Sequence, residues 1–138
     1  MDNGADIREI NRRVIDQFRA GGPVEGMQRD KLVLLTTTGR RSGQARTTPL
    51  IYGRDGERYV IVASRGGAPA HPAWYENLSA RPEVHLQVMA DRFKARARTA
   101  GAAERATLWK TMAAIWPPYD EYQAKTSRQI PVVVLERV

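Results

Sequence analysis

The chain has 138 residues, 42% hydrophobic and 27% charged, which is material for one modest core and no second. Cysteine is absent, excluding disulfides, thiolate nucleophiles and thiolate metal sites, and His71 and His85 are too few for a histidine-rich metal centre. Lys and Arg outnumber Asp and Glu 22 to 15, and the resulting charge of +7 attracts anions; the basic residues are nevertheless scattered, with no tract of five, so nucleic acid is not the expected partner.

Residues 6–19, DIREINRRVIDQFR, set Ile7, Ile10, Val14 and Phe18 at helical spacing, with Arg8, Arg12, Arg13 and Asp16 on the other face. The spacing predicts an amphipathic helix packed on a sheet, with contact to a membrane surface as the competing use of the same face. Gly21, Gly22 and Pro23 end it, which separates residues 1–22, a helix with its linker, from a single domain over 23–138. No apolar run is long enough to span a membrane, and the first twenty residues lack a basic n-region and an apolar h-region, so a cytoplasmic protein is expected.

Residues 31–38, KLVLLTTT, read as a buried strand, GRRSGQ at 39–44 as a turn, and ARTTPLIYG at 45–53 as a second strand, in which Pro49 demands an edge or a bulge. Asp55-Gly56 signals a hairpin into a third strand over Tyr59 to Ala63, and the three segments together predict an antiparallel meander. A short helix follows from Pro72, with Trp74, Leu78 and Tyr75 turned inward and Pro82 as its stop. VHLQVMA at 84–90 and FKARART at 93–99 alternate as half-buried strands, leaving His85 on the outer face. Residues 103–116 predict a helix with Ala106, Leu108, Trp109, Met112 and Ile115 on its apolar face; Pro117-Pro118 stop it, Tyr119 to Lys125 form another short helix, and 130–136 supply the last strand. Six strands and three or four helices in this order suit a small barrel partly covered by helices better than βαβ units.

There is no Walker sequence, nucleophile elbow or dinucleotide fingerprint. Gly39-Arg40-Arg41-Ser42-Gly43, with Arg46 just beyond, offers guanidinium forks and free amides to phosphate or carboxylate, and also fits a solvated hairpin turn. Ala63-Ser64-Arg65-Gly66-Gly67 follows a strand; its glycines admit close approach of a planar ligand and Ser64 supplies a hydrogen bond, although a plain strand-to-helix loop has the same look. Trp116, Tyr119 and Tyr122 are spaced to share one aromatic wall, for a ligand or for core. An anion loop, a glycine shelf and an aromatic wall together suit a large anionic planar cofactor.

The segments LLTTTGRRSGQARTTPL (34–50), VASRGG (62–67), HPAWYENL (71–78) and YQAKTSRQIPVVVLE (122–136), in this order and spacing, resemble the deazaflavin-dependent nitroreductases and F420H2-dependent quinone reductases. The resemblance, running from about residue 30 to the C-terminus, implies a split β-barrel related to FMN-binding oxidoreductases and reduced coenzyme F420 as cofactor. It implies that Arg40, Arg41, Ser42, Gly43 and Arg46 hold the phosphate and oligoglutamate tail, with Arg41 standing where a lysine often occurs. Pro49 and Ala63, Ser64, Arg65, Gly66 and Gly67 then line the deazaflavin, and Trp74 closes over it. Ser64, Trp116, Tyr119 and Tyr122 match the serine and three tyrosines on the family's substrate side; Trp116 keeps the aromatic wall and lacks the phenol, which argues against bulky nitroimidazoles and leaves quinones, enones and other activated alkenes. The implied reaction is hydride delivery to a small planar electrophile, at an electrophilic carbon or on the ring of a quinone or nitroaromatic, with Ser64 and Tyr119 donating hydrogen bonds to its oxygen and Tyr122 as proton donor or gate. An FMN-dependent enzyme of the same fold and a non-enzymatic flavin carrier are the alternatives, in a monomer or homodimer, with no metal and no nucleic acid.

Overall fold

The computed structural model describes residues 4–24 and 28–138, with side chains from Glu9 onward. The chain runs α1 (Gly4–Ala20), β1 (Leu32–Thr38), β2 (Ala45–Ile51), β3 (Gly53–Asp55), β4 (Arg58–Val62), α2 (Ala73–Ala80), β5 (Glu83–Val88), β6 (Asp91–Thr99), α3 (Ala102–Ile115), α4 (Pro118–Ala124) and β7 (Val132–Arg137). The seven strands form one antiparallel sheet in the order β2-β1-β5-β6-β7-β4-β3. It curls until β2, at one edge, returns against β4 near the other, giving a split barrel.

Burial explains the strand sequences. The inward face packs Val33, Leu35, Ile61, Leu86, Val133 and Leu135 together, and α2 plugs the barrel with Trp74 and Leu78. Helices cover the outside over two patches: Val14 and Phe18 of α1 lie on Leu32 and Leu34 of β1, while Leu108 and Met112 of α3 and Tyr119 of α4 lie on β4 and β7. Strands buried on both faces therefore read as continuous apolar runs, LVLL, YVIV and VVVL, whereas β5 and β6 meet solvent on one face and alternate. Gly53 lets α3 close on the sheet, since a Cβ there would sit 2.6 Å from the Met112 sulfur.

Three expectations need correction. The 31–63 region is not a meander: the β3–β4 hairpin separates from β2, and β4 takes β7 as its second partner, because its two apolar faces need the barrel interior and α3 at once. The second predicted strand divides at Tyr52 into β2 and β3, making seven strands, and only β3 forms the Asp55-Gly56 hairpin with β4. Ile10 is 46% exposed and Ala106 is exposed, since α1 packs through its C-terminal half and α3 through Leu108 and Met112. Ile7 lies outside the described side chains. Pro49 sits on the edge strand β2 opposite Leu34, where its missing N–H costs no ladder bond. His85 is exposed on the outer face of β5, and no helix among the described residues is long and apolar enough to cross a membrane.

Candidate functional site

The split in the barrel makes the site. Strand β2 has a neighbour only on the β1 side, and β4 pairs with β3 only as far as Val60, so two edges with unpaired backbone groups face each other. A pocket of about 380 Å³ lies between them. Thr48 to Ile51 line one side, Val62, Ser64, Arg65 and Gly66 the other, and Trp116, Tyr119 and Tyr122 close the end. Thr48 and Trp74 also line a second, larger cleft of about 610 Å³, so the two are neighbours sharing a wall. Gly39 to Ser42, Arg46 and Asn77 belong to that larger cleft.

The anion cleft follows from a local hairpin. Gly39 N–H donates to Gln44 O at 2.8 Å and Gly43 N–H to Gly39 O at 2.9 Å, while the Ser42 hydroxyl accepts from Gln44 N–H at 3.1 Å. Gly43 supplies the positive φ of 73° for this turn and does not line the cleft. Asn77, buried on α2, pins the hairpin: its Oδ1 accepts from Arg40 N–H at 3.1 Å and its Nδ2 donates to the Thr37 hydroxyl at 3.2 Å. The Arg40 guanidinium pairs with Glu76 at 3.3 Å, which makes Arg40 a clamp. Arg41 and Arg46 are exposed, and neither has an ion-pair partner among the described residues.

The shelf, by contrast, is tied from a distance. Arg65, Gly66 and Gly67 all take left-handed conformations, with φ of 48°, 63° and 85°, and a run of this kind persists only where its surroundings hold it. Arg128 does so: it donates to Ala68 O at 2.8 Å, Ala63 O at 3.2 Å and Ser64 O at 2.7 Å, and meets His71 Nδ1 at 3.0 Å. Desolvation first, and the nearby Arg65 second, lower the Arg128 pKa from its ordinary value. Gly67 is buried beneath α4, where a Cβ would stand 2.7 Å from Tyr122 O; Ala63 lies fully buried behind the shelf. Both back the pocket without lining it.

The aromatic wall comes from the Pro117-Pro118 break between α3 and α4. Tyr119 is only 5% exposed, and burial pushes its phenol well above the ordinary range, with Tyr122 adding to the shift. Its hydroxyl is thus a hydrogen-bond donor that does not act as a base at working pH. The Tyr119 and Tyr122 rings meet edge to face with centroids 6.1 Å apart, and Trp116, 39% exposed, directs its Nε1–H to the Tyr122 hydroxyl at 3.5 Å. Gln123 and Arg105 brace this segment: Gln123 Oε1 accepts from Arg105 at 2.9 Å and from Ile130 N–H at 2.9 Å.

Arg128 and Asn77 are residues that sequence reasoning left without a role. Each stands inside or beside a segment with family resemblance, but their partners lie 37 to 65 positions away, beyond any local pattern.

A split barrel with a guanidinium-lined cleft beside a glycine shelf and an aromatic wall has the shape and charge that suit an elongated, planar and anionic ligand. The protein-family model for F420H(2)-dependent quinone reductase matches residues 9–137, and the chain belongs to that family. An F420H(2)-dependent quinone reductase of Mycobacterium tuberculosis (strain ATCC 25618 / H37Rv) is 46% identical over 108 residues, which are 76% of this chain and 72% of that protein. The solved structure of an F420-H2 dependent reductase, FDR-A, is 43% identical with a TM-score of 0.72, covering 77% of this chain and 94% of its own. A chain solved as a domain-swapped dimer is 39% identical with a TM-score of 0.74, covering 97% of this chain and 100% of its own. Family membership makes the chain an oxidoreductase dependent on reduced F420.

The residues fit that cofactor. Two unpartnered guanidiniums beside a turn suit a phosphate and carboxylates, and the paired open strand edges suit the polar rim of a flat ring system.

Proposed function

We propose that the chain passes a hydride from reduced F420 to quinones, with enones, other activated alkenes and nitroaromatics as further acceptors at the same place. The observation that carries this reading is the sharing of Thr48 and Trp74 between the cationic cleft and the aromatic-walled pocket, which gives one ligand an anionic end and a planar end. When bound, reduced F420 supplies the hydride from C5 of its deazaflavin. Arg41 and Arg46 hold its phosphate and oligoglutamate tail, Pro49 and the Ser64–Gly66 shelf position the ring, and Trp74 separates the two ends.

The acceptor lies between the ring and the aromatic wall. The Ser64 and Tyr119 hydroxyls, neither with an intramolecular hydrogen-bond partner among the described residues, donate to the acceptor oxygen where negative charge develops. A quinone that takes up a hydride also needs a proton, and Tyr122, half-buried and reachable from solvent, delivers it and is reprotonated from water. Trp116 stacks on the acceptor.

A homodimer accords with the domain-swapped assembly of the 39% identical relative. Work in the cytoplasm fits this reading. Contact with a membrane through α1 has less support, because Val14 and Phe18 face the barrel and leave Ile10 as the exposed large apolar residue among the helix's described side chains. Anaerobic mixing of the F420H2-loaded protein with menadione tests the reaction: acceptor-dependent oxidation of the cofactor is expected, and a bound cofactor that menadione fails to oxidise contradicts it.

A further inference from the structure

The anion cleft has a wall outside the hairpin. Asn11, Arg12 and Ile15 of α1 line it together with Arg41 and Arg46. Their spacing of one and four puts the three on one side of the helix. Arg12 is exposed and makes no ion pair or hydrogen bond among the described residues, whereas its neighbour Arg13 is engaged.

The helix that carries Arg12 is fastened at its other end. Val14 and Phe18 are buried against Leu32 and Leu34. The Arg29 guanidinium donates to Phe18 O at 2.8 Å and lies 4.4 Å over the Phe18 ring, satisfying a carbonyl in the last turn and opposing the negative end of the helix dipole. α1 therefore approaches the cleft from an anchored C-terminal half. Arg12, Arg41 and Arg46 together make three unpartnered cations around one cleft, and the cleft's Glu76 neighbour is already paired with Arg40. Like charges gathered in this way repel until an anion with several charges joins them.

We infer that α1 forms part of the cofactor's tail site: Arg12 bonds the phosphate or a tail carboxylate, and Ile15 covers the apolar links between them. This rests on the F420 reading and assigns the N-terminal helix to cofactor retention.

The test compares binding of F420 with binding of the deazaflavin that stops at its ribityl chain, without phosphate or glutamates. Wild-type protein is expected to bind F420 more tightly than the shortened compound. Arg12→Ala should weaken F420 about tenfold and leave the shortened compound unchanged, while Arg12→Lys recovers most of the loss. Equal F420 affinity in Arg12→Ala and wild type, or an equal loss for both compounds, overturns the inference. If wild type binds the two compounds equally, the cofactor reading survives and the tail site does not; if it binds neither, the cofactor reading itself fails and this inference fails with it.

Discussion

The two halves of the site are built in opposite ways. The anion cleft centres on a six-residue turn walled by α1, α2 and the start of β2, and apart from the Asn77 and Glu76 contacts to Arg40 the turn's own bonds are local. The redox pocket is made by strand edges, a strained loop and two helix ends that meet only in the finished fold, with Arg128 and Gly67 holding them in register. On the proposed reading, affinity for the charged tail can therefore be altered with little effect on folding, whereas the pocket and the stability of the barrel change together.

The sharpest test of that contrast is Arg128→Met, which removes the guanidinium from the carbonyls of Ala63, Ser64 and Ala68 and leaves Ser64 O with the Gly67 N–H alone. It is expected to lower unfolding free energy by roughly 3 kcal/mol in urea titrations and to abolish quinone reduction. In the cleft, Arg41→Ala combined with Arg46→Ala should weaken F420 about 100-fold and flatten its dependence on salt, with an unchanged denaturation midpoint. A large loss of stability in that double variant would erase the distinction between the halves.

Within the pocket, Tyr119→Phe should lower kcat about tenfold with F420 affinity preserved, the signature of a hydrogen bond made as charge develops. Full turnover in this variant would remove Tyr119 from the chemistry. The smallest effect is on pH dependence. The Tyr119 phenol is held above its ordinary 10.0, so its neutral form contributes stability below that value, and the contribution is lost as pH rises beyond it. Wild-type stability should then fall more steeply than that of Tyr119→Phe in alkaline urea titrations.

The same contrast governs what was legible from the sequence. LVLL announced a buried strand, YVIV and VVVL announced further strands, Pro49 announced an edge or a bulge, and the glycines at 39–43 announced a turn, because each is a local consequence of burial or backbone geometry. The pairing of β4 with β7 was not legible, since a hairpin signal says which strands are close in sequence and nothing about which partner covers both faces of a third. Arg40 looked like its neighbour Arg41 until Glu76 was brought beside it by α2. Arg128 carried no local signal, and its importance comes from carbonyls about sixty residues earlier.

Selection by this barrel of a deazaflavin with a polyanionic tail is tested most directly by parallel anaerobic titrations with F420 and FMN. Saturable F420 binding, tighter than FMN binding and weakened by salt, is the predicted result; tighter binding of FMN would contradict it.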